Sequence, residues 1–391
     1  MEAGRSIQSN QHVRGDMMGA RPRETRGVQV PQREVQTPVP RWWASHHAGN
    51  LYTCGAIMKF LCSFLLPLLF ACSGEGQELQ STHFSLAKLA DGVFAAIHKP
   101  GGYAICNAGI IDLGDKTLVF DTFISPEAAK DLKRAAELLT GRSVTHVVNS
   151  HFHNDHIRGN QVFGRADIIS TQRTKDLIQE IEPQELEWEA KAVDQRIEQT
   201  LAAMAQAKDS SELEEQNMWL GYYKAIEGSS GEYHTTLPSI VFKDTMAMQG
   251  TKRSAVLFTS GRGHTESDIA LWLPAERILF AGDLLFVGCH PWLGDGFPEE
   301  WVEYLGELKT LNATSIVPGH GPIGQSQHID TMVGYITTMH RIVENAVKDN
   351  IGLDDLKKIA IPDAYRCWWF GRFFAPNLAS LYQRATGGPR E

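Results

Sequence analysis

The run Ser150-His151-Phe152-His153-Asn154-Asp155-His156 packs three imidazoles and a carboxylate into six residues. Only an extended or strand-end backbone points alternate side chains the same way. On such a backbone His151 and His153 can grip one metal ion, and Asp155-His156 can then turn toward a second. Any fold that uses this run must deliver it at the end of a strand. Val144–Asn149, immediately upstream, reads as a short buried one. The alternative is a surface loop that happens to be rich in histidine.

Three later segments argue against that alternative. Gly263-His264-Thr265 follows the strand-like Ala255–Thr259, and Ala281-Gly282-Asp283 follows Arg277–Phe280. Pro318-Gly319-His320-Gly321-Pro322 follows Ser315–Val317. Each presents one metal-type ligand just past a strand, where α/β folds place functional loops. The glycines allow a tight turn and close approach of the backbone to a ligand.

In these motifs and their order the chain resembles the metallo-β-lactamase superfamily over about residues 85–325. Asp121, ending Thr117-Leu118-Val119-Phe120-Asp121, matches the first motif; His151, His153, Asp155 and His156 match the second. His264 matches the third, Asp283 the fourth and His320 the fifth. The resemblance implies an α/β (α+β) fold, a four-layer αββα sandwich of two mixed sheets back to back with helices outside. It also implies a two-metal site. His151, His153 and His264 would hold the first ion, and Asp155, His156 and His320 the second. Asp283 would bridge them together with a water or hydroxide. Asp121 either orients a ligand imidazole or caps its strand end.

Five imidazoles and two carboxylates suit zinc first, with iron or manganese as alternatives, and no thiolate is in the set. Two ions ~3.5–4 Å apart lower the pKa of a shared water and polarise a substrate oxygen. The implied activity is therefore hydrolysis of an ester, thioester, lactone or amide by a bridging hydroxide. Asp155 would act as the catalytic carboxylate that orients the hydroxide and accepts its proton. β-Lactamases of the superfamily usually carry Cys or Ser where Asp283 stands. A bridging Asp is typical of glyoxalase II-like thioesterases, lactonases and phosphodiesterases, so antibiotic hydrolysis is the less favoured reading. A mononuclear-iron sulfur dioxygenase on the same fold is a second alternative. A non-catalytic binding protein is a third, which the intact ligand set disfavours.

The chain has 391 residues and a formal net charge of −9, and shows no basic stripe. Nucleic acid is therefore a poor candidate partner, and a small-molecule substrate is expected. Residues 1–57 are rich in Arg, Gln and Pro without helical or strand period. They are either an upstream start ahead of the true one or a disordered extension. Met58-Lys59 opens an apolar run, Phe60–Phe70, too short to span a bilayer and suited to a signal peptide. Leu69-Phe70-Ala71-Cys72 resembles a bacterial lipobox, with residues 58–71 cleaved and Cys72 acylated. The expected location is periplasmic, with the outer membrane contacted only through that lipid. Cys106, Cys289 and Cys367 remain in the mature chain. Two of them can pair in an oxidising compartment, but all three read better as small buried hydrophobes, Cys289 near the site.

The domain expected is 78–391. Lys116–Asp121 pairs with Ala104–Ile111 across Leu113-Gly114-Asp115 as a hairpin, and Pro126–Leu139 is a helix with Ala128, Ala129, Leu132, Ala136 and Leu139 on one face. An insertion, 174–228, is helical, with a stripe at Val193, Ile197, Leu201 and Met204. Its aromatic residues, Trp219 and Tyr222 among them, either pack the helical pair or wall the metals. In residues 289–304, whose Gly/Pro content marks a loop that runs into a helix, His290, Trp292 and Asp295 are candidates to line a substrate pocket. The tail 326–391 starts with a helix, and its aromatic run Trp368–Phe374 reads as core or interface.

Overall fold

The computed structural model describes residues 80–387. The segments carrying the proposed extension, signal peptide and Cys72 lie outside the described residues. Seven strands form the first sheet in chain order: β1 (Phe84–Ala90), β2 (Val93–His98), β3 (Ala108–Asp112), β4 (Thr117–Phe120), β5 (His146–Val148), β6 (Asp167–Thr171) and β7 (Ile240–Phe242). The hairpins β1 to β4 are antiparallel, and β4 to β7 run parallel. The second sheet has the order β12-β11-β10-β9-β8: β8 (Thr245–Gln249), β9 (Ser254–Phe258), β10 (Ala270–Leu273), β11 (Ile278–Phe286) and β12 (Ser315–His320). Only β11 and β12 pair in parallel there.

Successive strand residues face opposite ways, and the strands use both faces. Val148, Phe120, Leu271, Phe280 and Val317 meet in one core between the sheets. Phe120 and Phe280 lie 5.8 Å apart across it. Their neighbours turn outward. Val147 and Val119 pack on Ala128, Leu132 and Ala136 of α1 (Pro126–Thr140). Leu279 and Ile316 pack with Trp301 and Leu305 of α5 (Pro298–Thr310), Met332 and Ile336 of α6 (Ser326–Lys348) and Leu378 of α8 (Phe374–Thr386). The result is four layers, helix–sheet–sheet–helix.

Local chemistry sets the ends of α1. Ser125 Oγ accepts from Ala128 N at 3.1 Å, Pro126 opens the first turn, and Gly141 closes it with φ 68°. The insertion consists of two helices packed on each other, α3 (Gln172–Met204) and α4 (Ser210–Ser229). Of the expected α3 stripe, Ile197 is buried while Leu201 is half exposed. Leu201 lies on the side of α3 turned away from the packed face that buries Ile197 and Thr200. Of the three cysteines, Cys106 and Cys289 are buried free thiols. Cys367 is free and exposed, contrary to the expected burial, because it sits on an irregular turn between short 3-10 segments.

Candidate metal centre

Both sheets deliver ligand-type side chains to one end of the sandwich. Asn149 ends β5 by donating its N–H to Ile169 O, and the chain turns through His151 and His153 into α2 (Asn154–Ile157). The second sheet brings His264 between β9 and β10 and His320 as the last residue of β12. Asp283 lies inside β11 rather than past its end, as its spacing had implied. The ladder with β12 breaks register around Gly282, and this irregularity turns Asp283 inward. Gly319 makes room for it: a Cβ there would fall 1.8 Å from Asp283 Oδ1.

All seven predicted ligands meet. His153 Nδ1 is 3.0 Å from both His151 Nε2 and His264 Nε2. His320 Nε2 is 3.3 Å from Asp155 Oδ2, and His156 Nε2 is 3.6 Å from it. Asp283 touches both groups. Its Oδ1 is 3.1 Å from His156 Nε2, and its Oδ2 is 3.3 Å from His264 Nε2 and 3.4 Å from His320 Nε2. His151, His153, His264 and Asp283 could share one ion, and His156, Asp283 and His320 another. Two observations fit divalent ions here. His156 Nε2 and Asp283 Oδ1 are buried without a hydrogen-bond partner. The donors are imidazole and carboxylate, the borderline-to-hard set such ions take.

Outer contacts fix which ring atom faces inward. Asp121 Oδ2 accepts from His156 Nδ1 at 2.8 Å, leaving Nε2 toward the cluster. Ser150 donates its N–H and Oγ–H to the same carboxylate, at 2.7 and 2.8 Å. Ser150 Oγ must then accept from His151 Nδ1, 2.9 Å away, which again frees Nε2. Asp121 has a left-handed φ of 60°, a conformation that costs about 1–3 kcal/mol in a non-glycine residue and persists where its surroundings hold it. His153 is reversed: Nε2 donates to Asp295 Oδ2 at 3.1 Å and Nδ1 points inward. Trp292 Nε1 donates to the same Asp295 oxygen at 2.8 Å.

In the protein alone the rings divide electrostatically. Burial drives His151 well below the ordinary imidazole range and His264 down to about 3. Burial also opposes charge on His320 and His156, but neighbouring carboxylates prevail. His320 rises to about 9 beside Asp283 and Asp155, and His156 rises well above its usual value. Burial pushes Asp155 up, yet His156 and His320 hold it down to about 2. Protons on His156 and His320 thus balance the buried carboxylates where a cation otherwise would.

The ligands floor a cavity of about 360 Å³. Trp292 and Asp295 line it, as the sequence suggested. His290 does not. It is fully buried, with Nδ1 3.0 Å from Tyr335 Oη and Nε2 3.1 Å from the Tyr365 carbonyl, and burial lowers it to about 4. Those two partners turn the ring into the helical layer. Cys289 packs there too, pairing its backbone with Trp369. Cys106, which had no signal in the sequence, lies instead beside the ligands, its Sγ donating to the Asp155 carbonyl at 2.9 Å. Glu185 of α3, Trp219 and Tyr222 of α4, and Phe370 and Phe373 ahead of α8 complete the walls. For Trp219 and Tyr222 this is the walling position offered as one alternative from the sequence, whereas nothing in the spacing of Glu185, Phe370 or Phe373 announces that they return to the histidines.

A family model described as "Metallo-beta-lactamase superfamily" matches residues 101–320. The Beta-lactamase-like protein 2 homolog of Caenorhabditis elegans is 41% identical over 66 residues, 16% of this chain and 20% of that protein. Metallo-beta-lactamase type 2 of Bacillus cereus is 36% identical over 72 residues, 17% of this chain and 28% of its own length. The chain thus spans well under a third of these two relatives. The solved structure of a metallo-beta-lactamase from Pontibacter korlensis covers 65% of this chain and 99% of its own, with TM-score 0.48 and 15% identity.

Proposed function

The chain belongs to the metallo-β-lactamase superfamily, and from that we propose a metal-dependent hydrolase acting on an ester, thioester, lactone or amide bond. The observation that carries the reading is Asp283, whose two oxygens reach His156 on one side and His264 and His320 on the other. His151, His153 and His264 would hold one divalent ion, Asp155, His156 and His320 a second, and Asp283 would be common to both. Bound ions of this kind supply an activated water and polarise the substrate oxygen.

The protein's own groups do the rest. Asp121 and Ser150 aim Nε2 of His156 and His151 inward, as the ring atoms that would take an ion once free of protons. Asp295 does the same for His153 Nδ1. Asp155, ionised throughout the neutral range, orients the attacking water and takes its proton. The aromatic walls exclude bulk water, which strengthens every charge interaction inside.

The test is metal quantification joined to a panel of lactones, thioesters, phosphodiesters and β-lactams. Turnover of an acyl substrate, lost together with second-site metal in Asp155→Ala, is the expected result. One iron per chain with oxygen uptake on sulfur compounds would overturn it in favour of an oxidase. With this reading we propose the periplasmic lipoprotein state expected from residues 58–72. Mass spectrometry of the membrane-extracted protein tests it, and a mature chain without acylated Cys72 refutes it.

A further inference from the structure

The cavity walls are aromatic and acidic, and no Lys or Arg is among the described residues lining them. The rings touch in series. Trp292 lies 5.5 Å from Phe373, Phe373 lies 5.7 Å from Trp219, and Trp219 lies 5.3 Å from Phe370. Phe370 then meets the ligand-type His320 edge-on at 5.4 Å. One unbroken apolar surface therefore leads from the mouth of the cavity to the metal-binding side chains. Three separate chain segments build it, so it is a surface of the folded molecule and not one helix face.

The charged groups point the same way. Asp155, Glu185, Asp283 and Asp295 all line the cavity. Asp155, Asp283 and Asp295, with the partly ionised Glu185, offset most of the charge that two divalent ions would bring. The guanidinium groups nearby are committed elsewhere. Arg158 is buried against Glu182 and Glu189, and Arg372 lies 4.3 Å from the Trp219 ring with Nη1 donating to Tyr223 Oη. Away from the ions, a carboxylate or phosphate on a substrate would find no Lys or Arg among the described lining residues and would face Glu185 and Asp295.

We propose that the substrate is an uncharged acyl compound carrying a flat apolar group beside the scissile bond, and that compounds bearing a carboxylate or phosphate are rejected. The proposal rests on the hydrolase reading and narrows it. Hydrolysis adds water across the acyl bond: oxygen joins the carbonyl carbon, the bond to the leaving oxygen or sulfur breaks, and that atom takes a proton. The acid formed then ionises to a carboxylate and a proton. The same acidic walls that admit a neutral ester thus expel its anionic product.

The experiment uses the metal-loaded protein and aryl esters of phenylacetic acid, with and without a para-carboxylate on the acyl ring. Like-charge apposition costs several kcal/mol, so kcat/KM should be at least ~30-fold higher for the neutral ester. Phe373→Ala, near the mouth, should cost the phenylacetyl ester about tenfold, the size of a lost aromatic contact, and the acetyl ester of the same leaving group much less. Metal content should stay unchanged. Independently of turnover, phenylacetamide should quench Trp219 and Trp292 fluorescence at lower concentration than phenylacetate. Equal kcat/KM for neutral and anionic esters, or tighter binding of phenylacetate, overturns the proposal and leaves the hydrolase reading intact. Cleavage of no ester, with the amide still binding more tightly than the acid, defeats the hydrolase reading instead.

Discussion

A single carboxylate, Asp121, governs how two of the five ligand-type imidazoles present themselves. It holds His156 directly and His151 through Ser150, so one side chain orients both halves of the centre. Asp121→Ala strands three donors and should weaken metal affinity roughly 10–100-fold, the usual effect of removing a ligand's hydrogen-bond partner. Competition against a chromogenic chelator measures this, and an unchanged affinity would remove Asp121 from that role. His320 sets the pH behaviour. Its folded pKa of about 9 lies above the ordinary 6.5, so without metal its charge stabilises the fold fully below 6.5. That contribution is lost as pH rises through 9. The neutral ring is the form that takes an ion, so loading should release protons at pH 7 and tighten as pH increases. Calorimetry in buffers of different ionisation enthalpy reads the proton count. Metal binding with no proton release would contradict the assigned charge state.

Among the elements, the insertion is fastened to the ligand segment by a buried ion cluster. Arg158, two residues after His156, donates Nε to Glu182 at 2.8 Å, and its Nη1 lies 2.8 Å from Glu189. Glu185 lies 3.8 Å from Nη2, a third carboxylate around one guanidinium. Burial and the Glu182 charge push Glu185 up to about 7. Arg158→Met removes the only cation of this cluster and should destabilise the fold by roughly 3–5 kcal/mol, the cost of an uncompensated buried charge. Urea unfolding checks it; a midpoint within error of the parent protein would mean that the cluster contributes nothing. Helix α3 also shows what sequence conceals. Its existence was legible from composition and period, but its packing face was not. A helix partly bridging solvent has no single apolar stripe, so Leu201 looked internal and is exposed. The ligands were legible because each lies in a short motif beside a strand. Trp219 was legible only as one of two alternatives, and Glu185 and Phe370 were not legible, because only the closed fold returns them to the site. His290 misled for the converse reason: Trp292 and Asp295, further along the same loop, line the cavity while its own ring turns toward Tyr335.

For the molecule as a whole, the order of motifs pointed to the sandwich, and the paired faces of each strand make it. Neighbouring residues such as Val147 and Val148 serve different cores, which reads in sequence only as a continuous apolar run. A ligand that binds only the folded state stabilises it by mass action, about 2.7 kcal/mol at a hundredfold excess over its dissociation constant. Stripping metal with a chelator should therefore lower the thermal midpoint by several degrees, and scanning calorimetry of loaded and stripped protein measures it. An identical midpoint would mean that no ion is held. The coordinating side chains are divided by provenance: the 151–156 run follows β5 of the first sheet, while His264, Asp283 and His320 belong to the second. An ion held by members of both sets is a rivet through the seam of the sandwich. Force that slides one sheet over the other would have to break coordinate bonds before the oily interface could shear, so the group that does the chemistry would double as a mechanical fastener.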